Sequence, residues 1–287
     1  MIQTTRRVTG TSLREEDFRV HKTDTSLNVA SVFEVLKGNL AAYRIRGFVP
    51  PDACCRIANN FWNSREKMAR PGEGEEGVEG YFIGASHYGK STQQYLEEVR
   101  HCAGAVESLY AGTMNPGGVF RGALASQKGQ TVNIRPAGSN GLCAGDVKAV
   151  HWTGSGTFLL EPHDDLAQLS SPEQKDFEIQ RAVRVMAVNI YVEVPENSGQ
   201  VQLWNVEPDA ETRADLGLTH VGYPYPADLL TDYPSIVIPV ETGDLLVFNG
   251  NLVHGVLRGN TTSLKKRLLL TFFMTLIHDN NELIWWT

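Results

Sequence analysis

The spacing of apolar residues divides the chain into a helical first part and a β-rich second part. Apolar positions recur with helical periodicity in 25–39, 51–62 and 91–112, and the last of these segments ends at a glycine. Asp52 is the predicted N-cap of the second helix. A further helix is predicted to begin after Ser171 and to run toward Ala182, because a proline suits the first helical position.

Beyond about residue 130, short apolar segments alternate with turn residues, which is typical of a β-rich fold. The pattern favours a mainly β protein with flanking helices, in the form of a β-sandwich or jelly roll. Strands are predicted at 130–135, 147–152, 156–162, 184–193, 200–206, 235–240, 244–249, 266–276 and 282–286.

No linker separates the two parts, so we expect a single domain over residues 1–287. Within it we expect a polar N-terminal segment at 1–24, disordered over its first 20 residues, and a mainly helical front at 25–128. The β core is expected over 129–287, with an insertion at about 206–234.

Composition and charge limit which kinds of partner and which cellular location are expected. The chain has a net charge of −7 and no basic cluster longer than the "KKR" at 265–267, which argues against nucleic acid or an anionic membrane as partner. Its four cysteines include an adjacent pair and no CxxC motif, so they are expected to be reduced thiols. With no signal-peptide pattern at the start, we expect a cytoplasmic protein, and the oligomeric state stays open with a homodimer as one option.

The stretch "EPHDD" at 161–165 follows an apolar strand pattern and carries candidate metal ligands. Side chains two residues apart on a strand share a face, so His163 and Asp165 point to one side while Asp164 points away. The segment "VETGDLLVFNGNLVHGVLRGN" adds His254 just past the end of a second strand. Two imidazoles and one carboxylate form a set that binds Fe(II). The alternative is a surface acid pair beside a histidine that caps a turn.

Arg267 opens the apolar stretch "RLLLTFFM". A guanidinium at the edge of an apolar pocket needs an anion, and its planar fork matches a carboxylate. A surface arginine at a strand start is the alternative, and Arg258 is a rival candidate for the same role.

In this order, the HxD motif, "ETGDLLVFNGNLVHGV" and an arginine that opens an apolar strand resemble the Fe(II)/2-oxoglutarate-dependent dioxygenases. The segments "AAYRIRGFVPPDACCRIANNFW", "VEVPENSGQVQLWNVEPD" and "LLTFFMTLIHDNNELIWWT" extend the resemblance over most of the chain from about residue 40. The last two are similar to a bacterial subgroup of N-substituted amino-acid hydroxylases and free-standing aliphatic halogenases.

The resemblance implies a double-stranded β-helix (a jelly-roll or cupin-like core) and a requirement for Fe(II), 2-oxoglutarate and O2. It makes His163, Asp165 and His254 the iron ligands and Arg267 the partner of the distal carboxylate of 2-oxoglutarate. Many relatives have a small hydroxyl residue two positions after this arginine, where this chain has Leu269. The halogenases have a small residue in place of the ligand aspartate, so Asp165 implies oxygen insertion.

The expected function is therefore hydroxylation of an unactivated C–H bond of a small molecule, an amino-acid derivative, with release of succinate and CO2. Desaturation or cyclisation on the same scaffold and a non-catalytic jelly-roll module that binds a ligand are the alternatives. His87 and Arg135 are predicted to contact substrate, although a salt bridge is an equal option for Arg135. Loop 70–80 is predicted to act as a lid, and 81–89 as a pocket wall.

Overall fold

The computed structural model describes residues 7–71, 78–126, 132–152, 156–259, 266–277 and 281–287. Most of the predicted lid, 72–77, lies outside the described residues. Within those ranges, no helix has both the length and the apolar character needed to cross a membrane.

Helices occur where apolar periodicity and capping residues coincide. Asn28 accepts a hydrogen bond from a backbone N–H of the first turn of its helix, and Ser91 and Gln94 form a reciprocal capping box. The described helices are α1 (Val29–Lys37), α2 (Pro51–Asn63), α3 (Thr92–Ser108), α4 (Pro116–Ala125) and α5 (Ala210–Leu216). The three helices predicted in the first part are thus confirmed. Asp52 lies inside the first turn of α2 and is not its N-cap, because Pro51 already begins the helix.

The strands are numbered along the chain. The first nine are β1 (Gly10–Thr11), β2 (Val20–Asp24), β3 (Ala42–Arg46), β4 (Met68–Pro71), β5 (Val78–Ile83), β6 (Asn133–Pro136), β7 (Gly138–Ser139), β8 (Leu142–Cys143) and β9 (Lys148–Trp152). The others are β10 (Phe158–His163), β11 (Met186–Glu193), β12 (Val201–Trp204), β13 (Glu207–Pro208), β14 (Ser235–Ile238), β15 (Leu245–Asn249), β16 (His254–Leu257), β17 (Leu268–Ile277) and β18 (Glu282–Trp286).

Two sheets carry the architecture of the described chain. The larger sheet has the order β2-β3-β15-β11-β17-β9-β5-β4, and β18 joins it beside β17 and in turn pairs with β6. The smaller sheet has the order β10-β16-β12-β14. Both sheets contribute side chains to one apolar cluster, which includes Ala187 and Phe248 from the larger and Val201 and Leu203 from the smaller. The sheets therefore pack on each other, and the fold is mostly β with few helices.

Strand β11 shows why a strand of the larger sheet can have a continuously apolar sequence. Met186, Val188 and Ile190 pack on its outer side in the cluster that contains helix residues, whereas Ala187 and Tyr191 face the smaller sheet. A strand buried on both faces needs no polar alternation.

The prediction of a helix after Ser171 is wrong. The chain forms two short 3₁₀ turns there, at Pro172–Gln174 and Glu178–Arg181, with extended backbone at Lys175 and a positive φ at Asp176. The buried Gln174 amide binds the backbone oxygens of residues 87 and 90, so tertiary contacts override the local helical pattern.

The expectation of a disordered N-terminus is also wrong for the described part. Val8 is fully buried, β1 pairs with β13, and β2 pairs in parallel with β3. These contacts tie the N-terminal segment to both the insertion and the larger sheet.

Candidate active site

A cavity of about 620 Å³ lies between the two sheets. Its lining includes His163, Asp165 and His254 on one side and Arg267 on the larger-sheet side. The four residues singled out from the sequence therefore share one cavity, although up to 104 positions separate them along the chain.

Strand pairing brings the two histidines together. His163 ends β10 and His254 begins β16, and the two are Cα partners in the antiparallel ladder. His254 is thus part of a strand, whereas the sequence pattern placed it just beyond one. The His163 Nε2 to Asp165 Oδ1 distance is 3.9 Å, and the His254 Nε2 to Asp165 Oδ2 distance is 3.4 Å. One potential ligand atom from each of the three residues lies within 4.8 Å of the others.

The hydrogen bonds of the imidazoles leave their Nε2 atoms available to a metal. Each Nδ1 lies 2.8 Å from a backbone carbonyl oxygen, that of Glu161 for His163 and that of Leu252 for His254. Because a carbonyl can only accept, Nδ1 carries the hydrogen and donates it. The unprotonated Nε2 of each ring then faces Asp165.

Burial makes a charged Asp165 in this cluster energetically unfavourable unless a cation binds there. Burial raises the pKa of Asp165 well above its ordinary value, with the charge of Asp164 adding to the effect. Burial lowers the pKa of both His163 and His254, so both rings favour the neutral form that ligates metals. The Asp165 Oδ2 atom is buried without a hydrogen-bond partner. A divalent ion would satisfy all three groups, so the donor set fits Fe(II).

The backbone around Asp165 is fixed from two sides. The Asp165 N–H donates to the Gly250 carbonyl at 2.8 Å, and a Cβ at Gly250 would lie 2.5 Å from Asp165 Oδ2. Asp164 is completely buried, and its carboxylate accepts hydrogen bonds from Arg213 and the Tyr225 hydroxyl. Asp164 therefore points away from the cluster, as the strand periodicity predicts, and anchors the insertion.

Arg267 lies just before β17 and is also buried. No carboxylate among the described residues lies within ion-pair distance of it, and its Nε has no hydrogen-bond partner. Its guanidinium carbon is 5.5 Å from the centre of the Tyr191 ring, whose hydroxyl is likewise buried without a partner. A side chain at Gly199 would overlap the Arg267 side chain. The rival candidate, Arg258, is exposed and does not line the cavity.

Comparisons with known proteins give two kinds of match, although no protein-family model matches the sequence. The L-isoleucine 3(1)-dioxygenase of Pantoea ananatis (strain AJ13355) is 27% identical, with 93% of this chain and 92% of that protein covered. The N-substituted L-amino acid dioxygenase of Burkholderia ambifaria AMMD has a similar fold, with a TM-score of 0.55 and 12% identity over 90% of this chain and 91% of that one. The same enzyme in complex with alpha-KG aligns with a TM-score of 0.50 over the same shares.

The chain resembles the Fe(II)/2-oxoglutarate-dependent dioxygenase superfamily over most of its length. The sequence resemblance to that superfamily is thus confirmed, and the grouped His163, Asp165 and His254 fit its metal chemistry.

Two residues predicted to contact substrate do not line the cavity. The Arg135 guanidinium binds Glu178 at 2.6 and 2.9 Å and Glu282 at 2.5 Å, so two carboxylates already neutralise its charge. His87 is fully buried, with its Nδ1 3.2 Å from the Gln174 side-chain oxygen, and burial lowers its pKa to about 4. The neighbours of His87, Ser86 and Tyr88, line the cavity, whereas His87 and Arg135 do not.

The sequence pattern missed several residues in and beside the cavity. Tyr191, beside Arg267, and Lys148, on β9, come from strands whose register cannot be read from one sequence. The polar residue inside the apolar stretch 186–192 is Asn189, which also lines the cavity, and it is the one signal that could have been noticed.

Proposed function

We propose that this chain is an Fe(II)- and 2-oxoglutarate-dependent dioxygenase that hydroxylates an unactivated C–H bond of an amino-acid derivative and releases succinate and CO2. The observation that carries the proposal is the grouping of three metal-ligand atoms within 4.8 Å in a cavity that also holds a buried arginine with no acidic partner among the described residues. The amino-acid substrate class is supported by the isoleucine dioxygenase relative.

In this proposal, His163, Asp165 and His254 hold the metal through two neutral imidazoles and one carboxylate. Bound Fe(II) would supply the activation of O2 that oxidises both 2-oxoglutarate and substrate. The Nδ1–H hydrogen bonds keep the rings in the metal-binding tautomer and orientation. Asp165 occupies the position that is small in the similar halogenases, which supports hydroxylation over chlorination.

Arg267 binds the distal carboxylate of 2-oxoglutarate through charge-assisted hydrogen bonds. Tyr191 provides the second donor, because its buried hydroxyl lacks a partner beside this guanidinium. In this assignment, the Tyr191 hydroxyl takes the role of the small hydroxyl residue that many relatives have where this chain has Leu269. The carboxylate would satisfy two buried donors at once, each of which costs about 1–3 kcal/mol when left unpaired.

The finer fold proposal is a double-stranded β-helix within a single oxygenase domain. Its support is the pair of facing sheets with the cavity between them. A cytoplasmic location is supported by the cysteines, all of which lie in described segments and are free.

Anaerobic titration of Fe(II) and then 2-oxoglutarate into the apo-protein tests this assignment. We expect a visible charge-transfer band of the iron–2-oxoglutarate chelate, which disappears in His254→Ala and is unchanged in His101→Ala, an exposed histidine on α3. Aerobic addition of L-amino acids, beginning with L-isoleucine, should then release succinate.

A folded protein that gives no band would contradict the metal assignment and favour the non-catalytic binding module. A band with succinate release but a product two mass units lighter than the substrate, where hydroxylation adds one oxygen, would replace hydroxylation by desaturation or cyclisation.

A further inference from the structure

A row of polar side chains crosses the cavity wall formed by the larger sheet. Lys148 on β9 is the Cα partner of Thr271 on β17, and Thr271 is the partner of Asn189 on β11. All three line the cavity. Directly opposite residues of neighbouring strands share a face, so an amine, a hydroxyl and an amide lie side by side on this wall.

Lys148 has no acidic partner among the described residues. In the part of the chain that the structure describes, no carboxylate lies within ion-pair distance of its amine, which lies 4.9 Å from the centre of the Phe82 ring. The nearby Glu98 is already paired with Lys90. Of the acids that line the cavity, Asp165 belongs to the metal cluster and Glu161 forms no ion pair with Lys148.

The surroundings of Lys148 favour an anion. Burial lowers its pKa to about 8, with the positive charges of Arg70 and Lys90 adding to the effect and Glu98 opposing it. Arg70 also lines the cavity. An ammonium group taken out of water without a counter-charge is unfavourable, so a bound anion would relieve the cost.

The cosubstrate does not supply this anion, because each of its two carboxylates is already matched. In the proposed function, one carboxylate would bind Arg267 and Tyr191, and the other would be held at the metal site. Arg267 and Thr271 are four residues apart on one chain, which on a strand corresponds to about 13 Å. The two cations therefore serve different parts of the cavity.

We propose that Lys148, with Thr271 and Asn189, binds the carboxylate of the primary substrate, which is an aliphatic amino acid with a free carboxylate. The aliphatic group of the substrate would then contact the apolar wall of Leu160, Val201 and Val256 on the smaller sheet. This assignment rests on the proposed function and adds the group that selects among its substrates.

The test compares Lys148→Met with the wild-type holoenzyme, using L-isoleucine and L-isoleucinamide as probes and succinate release as readout. The variant keeps the length of the side chain but not its charge. We expect the KM for L-isoleucine to rise by about tenfold or more, since a hydrogen bond to a charged group is lost. The KM for 2-oxoglutarate should stay within about twofold, and L-isoleucinamide should react equally with both proteins.

Lys148→Arg provides the rescue and a pH signature, and Lys175→Met, an exposed lysine, is the matched control. The arginine variant should retain the preference for the acid over the amide. In the wild type, kcat/KM for L-isoleucine should fall as the pH rises through about 8, because Lys148 loses its proton. The arginine variant should show no such fall, since a guanidinium stays protonated.

Three results would overturn the assignment while leaving the proposed function intact. A rise in the KM for 2-oxoglutarate alone would assign Lys148 to the cosubstrate, and an unchanged preference for the acid would leave it a structural residue. If another L-amino acid reacts faster than L-isoleucine, that amino acid and its amide replace L-isoleucine and L-isoleucinamide as probes. Turnover of neutral compounds alone also overturns the assignment. No turnover of any compound, or no iron–2-oxoglutarate band, would instead overturn the proposed function and this inference with it.

Discussion

At the scale of single residues, the site depends on the absence of a side chain at Gly250 as well as on the side chains that would bind ligands. Gly250 lies against Asp165 so closely that even a methyl group would contact the carboxylate. The φ angle of Gly250 is outside the left-handed region, so backbone freedom does not explain the glycine. The glycine is explained by the space that the Asp165 carboxylate needs. This role can be tested without substituting a metal ligand.

Gly250→Ala should impair metal binding. The new Cβ would lie 2.5 Å from Asp165 Oδ2 and must displace the carboxylate, at a cost of about 1–3 kcal/mol for overpacking. We expect Fe(II) affinity, measured by anaerobic titration with 2-oxoglutarate present, to fall by about tenfold. Gly104→Ala, on α3 with open space around it, should leave the affinity unchanged and stabilise the helix slightly. Equal affinities for both variants would mean that Asp165 does not ligate the metal.

The same scale shows what one sequence can predict. His163 and Asp165 could be paired because side chains two apart on a strand share a face. Tyr191 and Lys148 could not be paired with Arg267 and Thr271, because these neighbours are distant in sequence and only the pairing of strands brings them close. Arg135 was open to two interpretations, since nothing local signals the distant Glu178 and Glu282.

At the scale of elements, the insertion after β12 supports the metal-binding loop. Arg213, on α5, binds Asp164 at 2.9 Å, and the Tyr225 hydroxyl donates to the same carboxylate at 2.8 Å. The Gly222 carbonyl accepts from the Asp164 N–H. Because Asp164 adjoins Asp165, these contacts couple the position of the insertion to the geometry of a metal ligand.

Arg213→Ala should therefore lower both stability and metal affinity. It leaves a fully buried carboxylate without its cation, a change that costs about 3–5 kcal/mol when one partner of a buried pair is removed. Urea unfolding should show this loss, and Fe(II) titration should show weaker binding.

Arg46→Ala is the matched control, because it removes an exposed pair with Asp24 and should cost less than about 1 kcal/mol. An Arg213 variant as stable as this control would show that the insertion does not hold the loop.

Elements were predictable where local signals agreed and not where tertiary contacts decided. The first three helices have apolar stripes, and they begin at side-chain caps in α1 and α3 and at a proline in α2, so their existence followed from the sequence. The helix expected after Ser171 had a possible cap and a proline at its first position. However, Gln174 and Phe177 are buried against α3 and its preceding loop, and those contacts break the segment into short turns. Similarly, the polar N-terminus is ordered by pairing with β13, a strand about 200 residues away.

At the scale of the whole molecule, two sheets enclose a cavity whose polar groups are satisfied only when ligands bind. The buried atoms without hydrogen-bond partners include Asp165 Oδ2, Arg267 Nε and the Tyr191 hydroxyl, and all three belong to the proposed iron and 2-oxoglutarate sites. The apo-protein therefore keeps a destabilising arrangement that binding relieves, and stability and function should respond in opposite directions to one substitution.

Asp165→Asn should show this opposition. The folded state raises the pKa of Asp165, so in the wild type the unfolded chain ionises first and the apo-protein loses stability as the pH rises above the unfolded value. The amide has no such charge, so at neutral pH the apo-variant should be more stable than the apo-wild type, by about 1–3 kcal/mol. Anaerobic Fe(II) with 2-oxoglutarate at a hundred times the dissociation constant should then stabilise the wild type by about 2.7 kcal/mol and the variant far less. Thermal unfolding with and without both ligands measures the two differences. An apo-variant less stable than the apo-wild type would mean that the hydrogen bond from Gln168 Nε2 to Asp165 Oδ1, at 3.3 Å, outweighs the cost of the buried charge.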